Sequence, residues 1–197
     1  MPHIFSGDPE VLRSERRKKI LPVDVFERDV LSRLNYRNNA VDYGAGTGYF
    51  TEVMARHFRR VYAIETQDSM ISILKEEMEE KGIKNVGIVI SDKPPDLDFD
   101  IDFVLFSNVL HEVDDFTRFI EWSRISRVAC IIEWKKIQTD FGPPIEERIS
   151  YEEMERIVKE KFRFVMPLDI FPLHYTLLCY NESDALKKPD DESENRP

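Results

Sequence analysis

Three carboxylates and a glycine cluster stand where this chain is best equipped for ligand chemistry. Asp42, Glu65 and Asp92 each close or follow a short apolar run. Gly44, Gly46 and Gly48 come directly after Asp42, and the whole chain holds only seven glycines. Glycines at alternate positions let a backbone turn sharply and bring its amides close to a bound group. The helical pattern after them offers free N–H groups at its start, which favour a carboxylate or a phosphate. The dinucleotide fingerprint G-x-G-x-x-G would need its third glycine at position 49, which is Tyr49. The spacing here is G-x-G-x-G, which disfavours a pyrophosphate. A carboxylate at Glu65 can accept hydrogen bonds from both hydroxyls of a ribose. Asp92 can accept from an exocyclic amine such as that of adenine. Together these residues suit a ligand with an adenosine half and no phosphate.

The pattern along the chain supplies the elements that hold them. Ala40-Val41-Asp42 reads as the end of a strand, and Phe50, Val53, Met54 and Phe58 repeat at helical spacing. Val61 to Ile64 reads as a second strand. A helix with Met70, Ile73, Leu74 and Met78 follows, capped by Gly82. Val86 to Ile90 is a third strand, ending at Ser91-Asp92, and Phe103 to Phe106 a fourth. A helix over 116–122 precedes a fifth strand, Val128 to Trp134. Ser150-Tyr151-Glu152-Glu153 has capping-box spacing and opens a helix that turns Met154, Ile157 and Val158 inward. Phe162 to Met166 and Tyr175 to Tyr180 read as the last strands. Upstream, Pro22 to Leu34 reads as an amphipathic helix, with Val23, Phe26, Val30 and Leu34 on one face. Strands alternating with helices imply an α/β layered fold with a mainly parallel sheet, which binds ligands at the carboxyl ends of its strands.

Composition sets the outer limits. The 197 residues carry a formal charge of −10 with 42% apolar content, enough for a packed core in one domain. An acidic balance argues against long nucleic-acid substrates, which need a cationic surface. Apolar runs are too short to span a bilayer. The start Met1-Pro2-His3-Ile4 shows no basic-then-apolar leader, and two cysteines make no disulfide framework, so cytoplasm is expected. Cys130 and Cys179 read as buried, inert thiols. The four histidines show no ligand spacing for a metal, so none is expected.

The segment Val41 to Phe50 resembles the first motif of the class I S-adenosylmethionine-dependent methyltransferases. Ala63-Ile64-Glu65 resembles their second motif, and Gln67-Asp68-Ser69-Met70 the helix start after it. Ser91-Asp92 falls where that family has an adenine-contacting acid, and 106–113 resembles the segment after its fourth strand. The likeness runs from about Leu21 to Asn181. Glu133 to Lys136 and Gly142 to Ser150 resemble a quinone-biosynthesis and small-molecule subgroup. The resemblance implies a three-layer Rossmann-like fold, with seven strands and an antiparallel C-terminal hairpin. It implies S-adenosylmethionine as cofactor, held by Asp42, Gly44, Ala45, Gly46, Gly48, Glu65, Thr66, Met70, Asp92, Lys93 and Ser107. One methyltransferase domain over 1–182, with a helical cap over about 1–36 and a disordered polar tail over 183–197, is the expected organisation.

The acceptor is left more open. A small molecule is the leading expectation. An RNA or protein acceptor, and a cofactor-binding subunit without activity, are the alternatives. Ser107-Asn108-Val109-Leu110 stands where methylators of exocyclic amines carry Asn/Asp-Pro-Pro-Tyr/Phe, which disfavours that subgroup. His111 is the candidate general base; packing at a helix start is the competing reading. Tyr43, Tyr49 and Phe5 are equal candidates for an aromatic face against a sulfonium. The run Arg13, Arg16, Arg17, Lys18, Lys19 reads first as a solvated helix face and second as an anion contact. Gly142-Pro143-Pro144 reads as a rigid loop, with a role in shaping the acceptor site as the further reading.

Overall fold

The computed structural model describes residues 7–187. Seven strands form one sheet: β1 (Asn39–Tyr43), β2 (Arg60–Glu65), β3 (Val86–Ile90), β4 (Ile101–Ser107), β5 (Ser126–Trp134), β6 (Phe164–Leu168) and β7 (His174–Tyr180). Their order is β3-β2-β1-β4-β5-β7-β6. Neighbours from β3 through β5 are parallel, and β7 is antiparallel to both β5 and β6. The expected seven-stranded, mainly parallel sheet with an antiparallel C-terminal hairpin is present. Sequential connections reverse direction between β1 and β4, which places a crevice at the carboxyl ends of those two strands.

Burial explains the layers. Every residue of β4 is buried, as expected for a central parallel strand covered on both faces. One face of the sheet carries α2 (Val23–Asp29), α3 (Tyr49–His57) and α4 (Asp68–Glu80). There Phe26, Phe50, Met54 and Phe103 pack together, and Leu74 and Met78 cover Ala63. The other face carries α5 (Phe116–Trp122) and α6 (Tyr151–Lys161), whose Phe119, Ile120, Met154 and Ile157 meet Val104, Ile131 and Leu177. Ser150 Oγ accepts the Glu153 amide at 3.2 Å, so α6 starts where its capping box indicates. Gly82 follows α4 at φ +64°, its amide donating to Glu79 O.

Three local expectations are corrected. The amphipathic segment 22–34 is not one helix. It breaks after Asp29 into a short 3₁₀ turn (Leu31–Arg33), because Ser32 Oγ and Arg33 Nε donate to the carbonyls of Arg28 and Asp29. Residues 183–187 are packed rather than part of a solvated tail. Ala185 and Leu186 are buried in the core, Leu186 bridges Leu34, and the Lys187 amide donates to Arg33 O at 2.8 Å. The remainder of that tail lies outside the described residues. Nor are all five basic residues at 13–19 on a solvated face. In α1 (Glu15–Ile20), Arg17 is buried, while Arg13 donates to Thr47 O at 2.7 Å and pairs with Glu77. No helix among the described residues is long and apolar enough to cross a membrane.

Candidate active site

The glycine loop is tied down from two sides. The Gly44 and Ala45 amides both donate to Ile64 O, at 2.9 and 3.1 Å. The Gly46 amide donates to Glu65 Oε2 at 2.8 Å, and Glu65 Oε1 accepts the Thr66 and Gln67 amides at 2.7 and 3.0 Å. Glu65 therefore joins the turn after β1 to the turn after β2. Three of its roughly four acceptor positions are filled by backbone. The sequence expectation that it takes both ribose hydroxyls must allow for this: a second hydroxyl has to share an oxygen or displace an amide. Gly44, at φ +70°, passes so close to the turn after β4 that a Cβ there would sit 2.4 Å from Val109 Cγ2.

A cavity of about 770 Å³ opens above this loop at the carboxyl ends of β1 to β4. Asp42, Gly44, Ala45, Gly46, Glu65, Thr66, Met70, Asp92, Lys93, Ser107 and His111 all line it, from four different strand ends. Tyr43, Tyr49 and the Gly142-Pro143-Pro144 loop line it as well. Gly48 does not. It begins α3 at φ +86°, and a Cβ there would lie 2.3 Å from Leu74 Cδ1, so this glycine serves packing between α3 and α4. Phe5 lies outside the described residues. Cys130 and Cys179 are buried, and burial pushes both thiols up.

Several polar groups facing this region lack protein partners. Burial raises the Asp42 carboxyl to about 6, against Thr51 Oγ1, which donates to it at 2.5 Å. Arg17 enters the cavity from α1 and is 9% exposed; burial lowers its guanidinium to about 10, and its Nε has no hydrogen-bond partner among the described residues. Its ring neighbour is Tyr49, with the guanidinium carbon 5.8 Å from the ring centroid. Ser107 Oγ and both amide atoms of Asn108 are also unpartnered. Asn108 adopts φ +56°, the one non-glycine residue with positive φ among those described. Strain of this kind tends to gather at functional sites.

His111 sits in a turn after β4 with its side chain 5% exposed. Its Nδ1 lies 2.8 Å from Glu133 Oε2, and Glu133 Oε1 accepts the Leu110 amide at 2.8 Å. Burial opposes charge on the imidazole, but Glu133, with Glu112 and Glu147 behind it, outweighs this and holds its pKa above the ordinary value. Reasoning from sequence names Arg17 only within a basic run, and Glu133 and Asn108 only within longer segments, and gives none of them a role of its own. Glu133 was visible in principle, as a lone charge inside the apolar run 128–134.

Comparison with known proteins agrees with this geometry. The methyltransferase domain family matches residues 41–129. A SAM-dependent methyltransferase from Aquifex aeolicus superposes with a TM-score of 0.74 at 25% identity, covering 88% of this chain and 98% of that one. The N-terminal domain of EvdMO1, solved with SAH bound, superposes with a TM-score of 0.66 at 15% identity, covering 86% of this chain and 85% of that one. The protein-L-isoaspartate O-methyltransferase of Magnetococcus marinus is 31% identical over 86 residues, 44% of this chain and 38% of that protein's length. The chain carries a methyltransferase domain over 41–129 on the fold of class I S-adenosylmethionine-dependent methyltransferases, with S-adenosylmethionine as the cofactor.

Proposed function

We propose that this protein transfers the methyl group of S-adenosylmethionine to a small-molecule acceptor. The observation that carries the reading is the concave shape and size of the cavity. Val11, Leu12 and Arg17 line it from the N-terminal segment, and Phe141 to Pro144 line it together with Trp134. About 770 Å³ falls in the range of roughly 300–1,000 Å³ for small-molecule sites. The formal charge of −10 counts against a long polyanion.

The residues present fit the cofactor. Buried Asp42 has no cation within ion-pair distance among the described residues, and buried Arg17 has no such anion. An amino-acid arm supplies both missing charges, its ammonium to Asp42 and its carboxylate to Arg17. Glu65 receives a ribose hydroxyl on its remaining acceptor position. Met70 and the Asp92-Lys93 turn flank the base, and Ser107 Oγ faces the arm. When bound, the cofactor supplies a methyl group already activated on a sulfonium. What remains for the protein is to orient the acceptor, worth roughly 7–11 kcal/mol in well-aligned cases.

Methyl-labelled S-adenosylmethionine, incubated with the protein and a cell extract, tests this. Label should appear in low-molecular-mass products. Label confined to RNA or to protein would overturn the small-molecule reading while leaving the cofactor assignment intact.

A further inference from the structure

We propose that His111 and Glu133 form a general-base pair, and that the acceptor is methylated on an acidic hydroxyl of phenol or enol type. This deepens the reading above and rests on it. Glu133 is 1% exposed, near the carboxyl end of β5, where a buried charge is costly unless it is fully paired. Both its oxygens are committed, one to the Leu110 amide and one to His111. A carboxylate only accepts, so His111 Nδ1 carries the proton and Nε2 is left with its lone pair. The nearest carboxylate to Nε2 is Glu112 Oε1 at 3.8 Å, beyond hydrogen-bond reach. His111 lines the cavity, and Nε2 has no hydrogen-bond partner among the described residues.

The surroundings support the same assignment. Glu133 on β5, Glu112 on the same turn and Glu147 before α6 stabilise the imidazolium that forms when Nε2 takes a proton, which makes Nε2 a stronger base; His174 on β7, held neutral by burial, and Arg17 on α1, which faces Glu133 and Glu112, complete the surroundings. Trp134, Phe141, Pro143 and Pro144 also line the cavity, with Arg148 and His174 against the Trp134 ring and Arg16 over the Phe141 ring. An apolar lining of this kind suits a planar ring. An imidazole is roughly 3–4 units less basic than a phenolate, a gap that a concerted transfer can span. In the step, the acceptor O–H bond breaks and its proton passes to Nε2. The oxygen's electron pair forms the O–CH₃ bond, and the C–S bonding pair stays on sulfur as a neutral thioether. The imidazolium then returns its proton to solvent.

The test uses the full chain, labelled S-adenosylmethionine, and two probes, 4-methylphenol and the more acidic 4-nitrophenol. His111→Gln should slow transfer to 4-methylphenol by about 10²–10⁴-fold. It should slow transfer to 4-nitrophenol, already largely ionised, by less than tenfold. Glu133→Gln should lower kcat more than it changes KM, and should move the acid limb of the pH profile to lower pH. In the wild-type protein, kcat/KM for 4-methylphenol should rise with pH through the His111 titration, a readout that needs no variant. Equal losses on both phenols overturn the proposal. So does a wild-type protein that binds S-adenosylmethionine by calorimetry yet methylates neither phenol. Absence of cofactor binding would overturn the underlying reading as well, so the two failures are distinguishable.

Discussion

Replacing Arg17 with methionine should move stability and cofactor affinity in opposite directions. In the free protein the guanidinium is buried without an ion-pair partner among the described residues, and burial lowers it from 12.5 to about 10. At about 1.4 kcal/mol per unit, holding that charge inside costs roughly 3 kcal/mol. Methionine keeps the apolar stem and removes the charge, at the loss of the contact with the Tyr49 ring, about 0.5–2 kcal/mol. The net gain expected for the free protein is about 1–2 kcal/mol, or roughly 2–8 °C in Tm for a domain of this size. The same substitution deletes a charge-assisted bond to the cofactor carboxylate, worth about 1.5–3 kcal/mol, which weakens binding roughly 10- to 150-fold. Thermal unfolding with and without S-adenosylhomocysteine reads both effects. A variant that melts below wild type when free, and gains as much from ligand as wild type does, would refute the assignment of Arg17 as an unpaired cation awaiting an anion.

The pH dependence of the free protein carries the signature of Asp42. Its folded pKa of about 6 lies above the ordinary 3.8, so between those values the folded state holds a proton that the unfolded state has released. Stability from this group is therefore present below about pH 4 and is lost as pH rises through 6, by about 3 kcal/mol in all; Asp42→Asn should flatten that limb in urea titrations. Cofactor affinity should run the other way, falling in calorimetry as pH drops below about 6, because the ammonium needs an ionised Asp42. Glu65→Ala should weaken cofactor binding at least tenfold and also cost about 1–3 kcal/mol of stability, since three backbone amides lose their acceptor; unchanged affinity counts against the ribose role. Gly48→Ala should lower Tm by several degrees, because its Cβ meets Leu74 at 2.3 Å and its φ is +86°; an unaltered Tm would show that Leu74 yields freely.

Much of this architecture is legible in the chain because the signals are periodic and local. The apolar runs at 103–106 and 128–134 have the length and continuity of buried parallel strands, and the structure lengthens each by only a few residues. Met70, Leu74 and Met78 keep helical spacing and all face the core. Asp42, Glu65 and Asp92 are found at strand ends because a carboxylate closing an apolar run is the natural boundary between core and solvent. Long-range pairing is what the sequence conceals. Nothing local ties Arg17 to a cavity built from β1 and β4, because its neighbours Arg16, Lys18 and Lys19 read as a solvated face. His111 and Glu133 are separated by a helix and a strand, and only the β4–β5 register brings them together. The glycine pattern also mixes two roles: Gly44 and Gly46 shape the cavity floor, while Gly48 accommodates Leu74.

The most direct test is a crystal structure of the protein with S-adenosylhomocysteine. The ligand should lie across the ends of β1, β2 and β4, with its amino group at Asp42, its carboxylate at Arg17 and a ribose hydroxyl on Glu65. A ligand seated away from the 44–48 loop, or one whose amino-acid arm leaves both Asp42 and Arg17 without a partner, would contradict it.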